Sequence, residues 1–135
     1  NVVLNQDNPF EVIGVLDWEM ATIGDPLMDL GNSLAYWIEA DDEGPFQMLR
    51  RQPTHQPGML TRKEVVAYYA EKSGRKIDNF DFYEIYGLFR LAVIVQQIYY
   101  RYYHGQTKDK RFAAFGHAAN YLEKRCQRLI EASDL

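Results

Sequence analysis

An apolar stretch that ends in an acidic residue, and is followed by a turn and a helix start, constrains the fold most. Residues 12–16 read Val-Ile-Gly-Val-Leu, and Asp17 and Glu19 come next. Because a strand rich in Val, Ile and Leu is typically buried on both faces, it would hold Asp17 on a rigid support at the edge of a core. Mg²⁺ prefers oxygen ligands and is commonly held by one or two carboxylates together with substrate phosphates. The stretch therefore predicts a cation site.

The carboxylates in and after this stretch also have purely structural explanations. Asp17 would simply end a strand and bond to turn backbone, and spacing alone favours this alternative because acidic residues after strands are common. A helix is predicted over 25–38, with Asp25 as N-cap and Pro26 at the first helical position. Asp29 falls in the first turn, where the helix dipole stabilises a carboxylate. Spacing alone therefore leaves both interpretations open.

The residues before the apolar stretch predict a short antiparallel hairpin. Residues 2–4 and 10–16 have strand composition, and residues 5–9, Asn-Gln-Asp-Asn-Pro, form a turn cluster. An isolated two-stranded hairpin is marginal in water. We therefore expect the hairpin to pack on helices of this chain and on further polypeptide upstream of Asn1.

The middle of the chain predicts a loop and then a helix. Residues 39–60 combine acidic residues, an Arg pair and prolines without a helical or strand period, which indicates a mobile, structureless connection. Residues 61–73 form the next predicted helix. Its first residues, Thr61 and Glu64, are spaced as a capping box, and Gly74 supplies the C-terminal stop.

Two longer helices complete the predicted architecture. Apolar residues cover most of the circumference of residues 79–103, which predicts a buried central helix. Residues 109–132 carry a single apolar seam at alternating three- and four-residue spacing. The fold class is therefore α+β and mostly helical. The seam consists of Phe112, Phe115, Ala119, Leu122, Cys126 and Leu129.

Composition excludes several classes of protein. The net charge of −4 without basic blocks gives no electrostatic footprint for nucleic acid. No apolar stretch is long enough to span a membrane. The lone Cys126 excludes an internal disulfide and suits a reducing compartment, so we expect a cytoplasmic protein. There is no zinc pattern, catalytic serine elbow, Walker loop or dinucleotide glycine fingerprint.

The chain resembles a known family in several of its motifs. Asn1, the hairpin, Leu-Asp-Trp-Glu at 16–19 and Gly-Asp-Pro-Leu-Met-Asp-Leu at 24–30 are similar to the C-terminal half of the aminoglycoside phosphotransferase and choline kinase-like family. Residues 57–59, 73–75 and 82–101 extend the resemblance to the branch associated with acyl-CoA dehydrogenases. The resemblance implies that residues 1–135 are part of the C-terminal lobe of a protein kinase-like fold.

The same resemblance implies roles for individual residues. Asp17 matches the aspartate that bridges nucleotide phosphates through Mg²⁺, and Asn1 matches the asparagine that holds a second metal ion. Glu19 matches a residue that assists the metal in choline kinases, although Trp18-Glu19 departs from the Phe-Gly of protein kinases. Asp29 matches a buttress behind the catalytic loop. The resemblance therefore implies three metal ligands, Asp17, Asn1 and Glu19. It implies a structural role for Asp29 and Asp25.

The implied activity is ATP-dependent transfer of a phosphoryl group to a hydroxyl of a small molecule, with Mg²⁺. The catalytic aspartate and the nucleotide-binding lobe are expected upstream of Asn1, so this segment alone would be inactive. The residues that would bind the acceptor lie on helices after the metal aspartate. Arg90 would suit an anionic acceptor; the alternative is that it belongs to a solvated stripe of the helix. Two alternatives stay open: a non-catalytic nucleotide- or metal-binding module, and a helical interaction domain. The candidates are Trp37, Arg90, Gln97 and Tyr100.

Overall fold

The fold consists of a two-stranded hairpin followed by five α-helices. The computed structural model describes residues 1–135, the side chain of Met20 excepted. A short 3₁₀ turn at Trp18–Met20 follows the hairpin. A second 3₁₀ turn at Lys110–Ala114 precedes the last helix. The strands are β1 (Val2–Leu4) and β2 (Val12–Val15), and the helices are α1 (Pro26–Leu34), α2 (Gly44–Gln47), α3 (Arg62–Ser73), α4 (Asp81–Tyr103) and α5 (Phe115–Ala132).

The core forms where α4 packs against α1 on one side and α5 on another. Leu122 of α5 is 0% exposed, and Ala119 and Cys126 are buried beside it. Phe115 and Leu129 pack against the same cluster. The predicted apolar seam of the last helix is therefore confirmed from Phe115 to Leu129, and its three- and four-residue spacing explains why one face alone is buried. Phe112, the first residue of the predicted seam, lies in the 3₁₀ turn before α5.

The predicted capping box is confirmed at the start of α3. The Glu64 amide donates to the Thr61 hydroxyl, and the Thr61 amide donates to the Glu64 carboxylate. Gly74 ends the helix in the left-handed conformation, with φ 68°. Local sequence therefore determines both ends of this helix.

Helix α4 is less buried than its composition predicts. Its buried residues are Gly87, Leu88, Leu91 and Val95, whereas Phe89 is 58% exposed. The expectation of a helix buried around most of its circumference is wrong. Its apolar residues cover most of the surface, but α1 and α5 cover only two sides of it.

Residues 39–60 contain a helix and contribute to the core, so the prediction of a structureless connection is wrong. Phe46 of α2 is 1% exposed. The Thr54 hydroxyl donates to the carbonyl of Ile38 over 2.8 Å. Single buried residues on a four-residue helix leave no period in the sequence, which explains the error.

The hairpin strands pack mainly on each other. Ile13 is 59% exposed, and Val12 and Val15 are also more than half exposed. The expectation of a strand buried on both faces, leaning on the helices of this chain, is therefore wrong. Apolar composition indicates that a strand can be buried, but burial also requires a covering surface.

Several helix bounds differ from the sequence pattern. Helix α1 ends at Leu34 rather than at residue 38, and the predicted helix 109–132 begins as the 3₁₀ turn Lys110–Ala114. None of the helices in the described part of the chain is both long and apolar enough to cross a membrane.

Candidate functional site

The register of the hairpin brings Asn1 next to Asp17. Val2 lies opposite Val15 in the antiparallel pairing, and the Leu16 amide donates to the Asn1 carbonyl over 2.9 Å. The Asn1 side-chain amide Nδ2 donates to Asp17 Oδ2 over 2.8 Å. Two predicted metal-binding residues, far apart in sequence, are therefore adjacent.

The backbone of Asp17 has an unusual conformation. Its φ of 69° and ψ of 44° lie in the left-handed region, and among the described residues it is the only non-glycine with positive φ. Asp tolerates this region better than most residues, but such conformations persist only where the surroundings enforce them. The Trp18 indole N–H donates to the Val15 carbonyl over 2.7 Å and holds the turn. Asp17 therefore stands on a constrained corner directly after β2.

Glu19 lies in the 3₁₀ turn Trp18–Met20, with an exposed side chain. It has no hydrogen-bond partner within the described part of the chain. No group of three or more His, Cys, Asp or Glu residues suited to a metal ion occurs among the described residues. The geometry therefore joins Asn1 to Asp17 and leaves Glu19 outside the pair.

Asp25 connects α1 to α4. Its carboxylate accepts from the Leu27 amide over 3.0 Å, as an N-cap. It also accepts from the Tyr83 hydroxyl over 2.7 Å. The hydrogen bond from Tyr83, followed by that from Leu27, lowers the pKa of Asp25, and the same contact raises the pKa of Tyr83. The segment that follows Asp17 is thus attached to the start of the longest helix.

Asp29 lies in the first turn of α1, with an exposed side chain. Among the described residues its carboxylate has no hydrogen-bond or ion-pair partner. The structure does not connect it to Asn1 or Asp17.

The four predicted acceptor residues are distributed over different places. Gln97 and Tyr100 line one cleft of about 640 Å³. Trp37 donates its indole N–H to the Leu60 carbonyl over 2.8 Å. Arg90 is exposed, with its guanidinium 6.0 Å from the centroid of the Tyr86 ring. Two of the four residues are therefore brought together.

The cleft with Gln97 lies far along α4 from the Asp25 contact. Helix geometry gives a rise of about 1.5 Å per residue, which places Gln97 about 21 Å along the helix axis from Tyr83. Arg101 and Glu123 line the same cleft. A ligand there would contact the end of α4 opposite to the one that holds Asp25.

An ion-pair cluster that the sequence did not predict connects three segments. The Asp42 side chain is 5% exposed. Arg62 binds it through two nitrogens, at 2.5 and 3.0 Å, and Arg125 donates to it over 3.1 Å. Burial alone would raise the pKa of Asp42, but hydrogen bonds from Arg62 and the Glu39 amide, together with both guanidinium charges, lower it.

No local signal identifies this cluster. Asp42 belongs to a run of acidic residues that resembles a solvated surface, and its partners lie in helices α3 and α5. Only the tertiary fold brings these charges together.

The segment that contains Asn1, Asp17 and Asp25 is similar to a known protein family. Residues 1–65 match the APH model, the phosphotransferase enzyme family. This part of the chain is similar to that phosphotransferase family. The matched segment includes the hairpin, Asn1, Asp17 and Asp25.

The curated proteins to which this chain is similar are much longer than it. Mouse acyl-CoA dehydrogenase family member 10 is 39% identical over 73% of this chain and 9% of its own length. Mouse acyl-CoA dehydrogenase family member 11 is 33% identical over 73% of this chain and 13% of its own length. The probable acyl-CoA dehydrogenase IBR3 of Arabidopsis thaliana is 32% identical over 82% of this chain and 14% of its own length.

The chain therefore spans about a tenth of the length of these relatives. The predicted resemblance to the acyl-CoA dehydrogenase-associated branch of the phosphotransferases is confirmed. No solved structure matches the chain.

Proposed function

We propose that this chain supplies the metal-binding part of an ATP-dependent phosphotransferase that acts on a hydroxyl of a small molecule. The observation that carries the proposal is the hydrogen bond between Asn1 and Asp17. It is supported by the family match of residues 1–65, which contains both residues. The nucleotide lobe and the catalytic aspartate would come from polypeptide outside this chain.

The residues present fit a magnesium site. Asp17 offers carboxylate oxygens and Asn1 offers an amide oxygen, which are the hard ligands that Mg²⁺ takes. Mg²⁺ usually keeps several waters and binds few protein groups together with substrate phosphates, so two ligands suffice. The left-handed backbone at Asp17 fixes where its carboxylate stands.

In the proposed reaction each group of this chain has a limited role. Bound Mg²⁺ would neutralise charge that develops on the phosphate oxygens. Asp17 and Asn1 would hold the metal ion at the end of β2. The hairpin register keeps the two side chains together, and the contact of Asp25 with Tyr83 attaches the segment to α4. Glu19 and Asp29 would assist only if the nucleotide or further polypeptide brings them to the pair.

The acceptor would lie against α4. Gln97 and Tyr100 share one cleft, whereas the Trp37 indole is bonded to the Leu60 carbonyl, which supports the first two as acceptor-binding residues. Because Gln97 lies about 21 Å along α4 from Tyr83, an acceptor held there would have to extend along α4 for its hydroxyl to reach the metal site. Arg90, which is exposed, would contact an anionic acceptor only from outside that cleft.

Nucleotide binding by the full-length protein tests the proposal. Mg²⁺-dependent ATP binding, measured by calorimetry, should weaken by roughly 100-fold in Asp17→Ala, because a charged metal ligand is lost. Glu71→Ala is the control, since Glu71 is exposed and pairs only with Lys72. Equal ATP affinity in Asp17→Ala and the parent protein would overturn the proposal.

Turnover separates an enzyme from a binding module. Release of ADP in the presence of a hydroxyl compound, lost in Asp17→Ala and retained in Glu71→Ala, supports phosphoryl transfer. Mg²⁺-dependent ATP binding without ADP release for any hydroxyl compound supports the non-catalytic module instead.

A further inference from the structure

A second cleft, away from Asn1 and Asp17, has an apolar floor and a cationic rim. It has a volume of about 700 Å³ and lies between α2 and the start of α5. Met48, Leu49 and Phe115 contribute apolar surface. Arg51, Arg111 and Lys124 contribute positive charge. A volume of this size is typical of small-molecule sites.

The residues that line this cleft include no carboxylate, although the chain as a whole carries a net charge of −4. By contrast, the cleft at the end of α4 sets Arg101 against Glu123. The lining of this cleft therefore carries cationic side chains without a carboxylate, and it would attract an anion.

Two of the three cations have no acidic partner within the described part of the chain. Arg51 donates only to the carbonyl of Arg50, over 3.1 Å, and Lys124 forms no ion pair there. Arg111 is different, because Asp109 binds it at 2.6 Å. Arg51 and Lys124 are therefore the groups available to a ligand.

Apolar surface continues behind Arg51. A smaller cavity of about 160 Å³ shares Leu49, Arg51 and Phe115 with the cleft. Its remaining lining is mostly aliphatic and includes Ile38 and Val95. Arg51 therefore stands between two apolar surfaces, so a ligand that contacts its guanidinium also meets apolar side chains.

We propose that this cleft binds an amphipathic organic anion. Its carboxylate or phosphate monoester head lies between Arg51 and Lys124, and its apolar body covers Met48, Leu49 and Phe115. Charge-assisted hydrogen bonds fix the head, and burial of apolar surface supplies affinity for the body. The site is independent of the proposed phosphotransferase function, since Asn1 and Asp17 take no part in it.

Photo-crosslinking of the full-length protein tests the proposal. The probes are a medium-chain alkyl carboxylate with a photoreactive group in its chain, the corresponding phosphate monoester and the corresponding neutral alcohol. Mass spectrometry of the digested protein locates the label. We expect at least one of the anionic probes, but not the alcohol, to label residues 45–49 or 114–121. The anion that labels more strongly identifies the head group.

Substitutions of the charged residues provide a second test of the proposed site. Arg51→Gln combined with Lys124→Gln should reduce labelling by roughly three- to tenfold, since two charge-assisted contacts are lost. The control combines Lys63→Gln with Lys72→Gln, two exposed lysines of α3 outside the cleft, and should label like the parent. Met48→Gln tests the apolar part, because Met48 is 74% exposed and its replacement does not disturb the core.

Three results would overturn the proposal: equal labelling by the alcohol, label that falls outside both segments, or labelling unaffected by the Arg51 and Lys124 substitutions. Asp17→Ala should leave labelling unchanged. Loss of labelling in Asp17→Ala would also overturn the proposal, because it would place the probe in the phosphotransferase site.

Discussion

Gly31 of α1 and Gly87 of α4 meet backbone to backbone. A β-carbon added to Gly87 would lie 2.1 Å from the Gly31 carbonyl oxygen, and one added to Gly31 would lie 2.1 Å from the Tyr83 carbonyl oxygen. Real β-carbons do not approach backbone oxygen so closely, so the two helices pack at this distance only because both residues are glycine.

Gly87→Ala should therefore destabilise the protein, although alanine is normally the better helix former by about 1 kcal/mol. The clash involves backbone and forces the helices apart, which we expect to lower the free energy of unfolding by about 2–4 kcal/mol. Urea denaturation measures the change. Gly44→Ala is the control, because no atom lies within 4 Å of its added β-carbon. Equal stability of Gly87→Ala and the parent would contradict the observed packing.

Asp42→Asn should be strongly destabilising. The substitution removes the charge that Arg62 and Arg125 both bind. It leaves the largely buried Arg125 guanidinium without a carboxylate, and leaves Arg62 with Glu39 alone, at 3.3 Å. Breaking a buried pair typically costs about 3–5 kcal/mol, and the partial exposure of Arg62 reduces the expected loss to about 2–4 kcal/mol. Asp41→Asn, one residue earlier and exposed, is the matched control and should unfold like the parent.

The same contacts predict a pH dependence. The pKa of Asp42 is lower in the folded protein than its ordinary value. Its charged form therefore stabilises the fold above the unfolded-state pKa of about 3.9, and this contribution is lost as pH falls through the folded-state pKa. The difference in unfolding free energy between the parent and Asp42→Asn should thus be largest near neutral pH and shrink below about pH 4. A difference in unfolding free energy that stays constant from pH 7 to pH 3 would contradict this role of the Asp42 charge.

Tyr83→Phe should raise the pKa of Asp25 towards its ordinary value. The Tyr83 hydroxyl is the main cause that lowers this pKa, and the Leu27 amide remains in place as the second. Carbon-detected NMR titration of the Asp25 carboxyl group measures the shift. Tyr68→Phe, on α3, is the control and should leave the Asp25 titration unchanged. An unchanged pKa in Tyr83→Phe would show that the contact is absent in solution.

Asp17→Gly should separate stability from binding. Glycine adopts positive φ without the steric cost that a side chain brings, so we expect a gain of a few tenths to about 1 kcal/mol in unfolding free energy. Mg²⁺-dependent ATP binding should be lost, because the carboxylate is gone. Asp17→Ala should lose both stability and binding. A gain in stability with ATP binding intact would exclude Asp17 as a metal ligand.

Sequence reasoning worked where local chemistry determines local structure. Thr61 and Glu64 begin α3 because their side chains satisfy amides within one turn, and Leu122 and Cys126 lie on the buried face because helical periodicity fixes which residues share a side. The roles of Asn1 and Asp17 as metal ligands followed from a resemblance, whereas the predicted hairpin of residues 2–4 and 10–16 accounts for their being adjacent.

Tertiary contacts explain what the sequence did not predict. Phe46 is buried by helices distant in sequence, and Asp42 is charged and buried only because Arg62 and Arg125 arrive from elsewhere. Phe89 shows the opposite error, because its apolar character does not guarantee a neighbour to cover it.

The hairpin pairing also determines how insertions would affect the site. Val3 pairs with Gly14 and Leu4 with Val12, so the pairing passes over Ile13 and is irregular at that point. Because side chains alternate between faces, adding or deleting one residue in β1 would turn the Asn1 side chain away from Asp17. The turn itself depends on residue identity, because the side chains of Asn5 and Asn8 accept hydrogen bonds from the amides of Asp7 and Phe10. A change in the length of either strand has to preserve the strand phase if Asn1 is to stay beside Asp17.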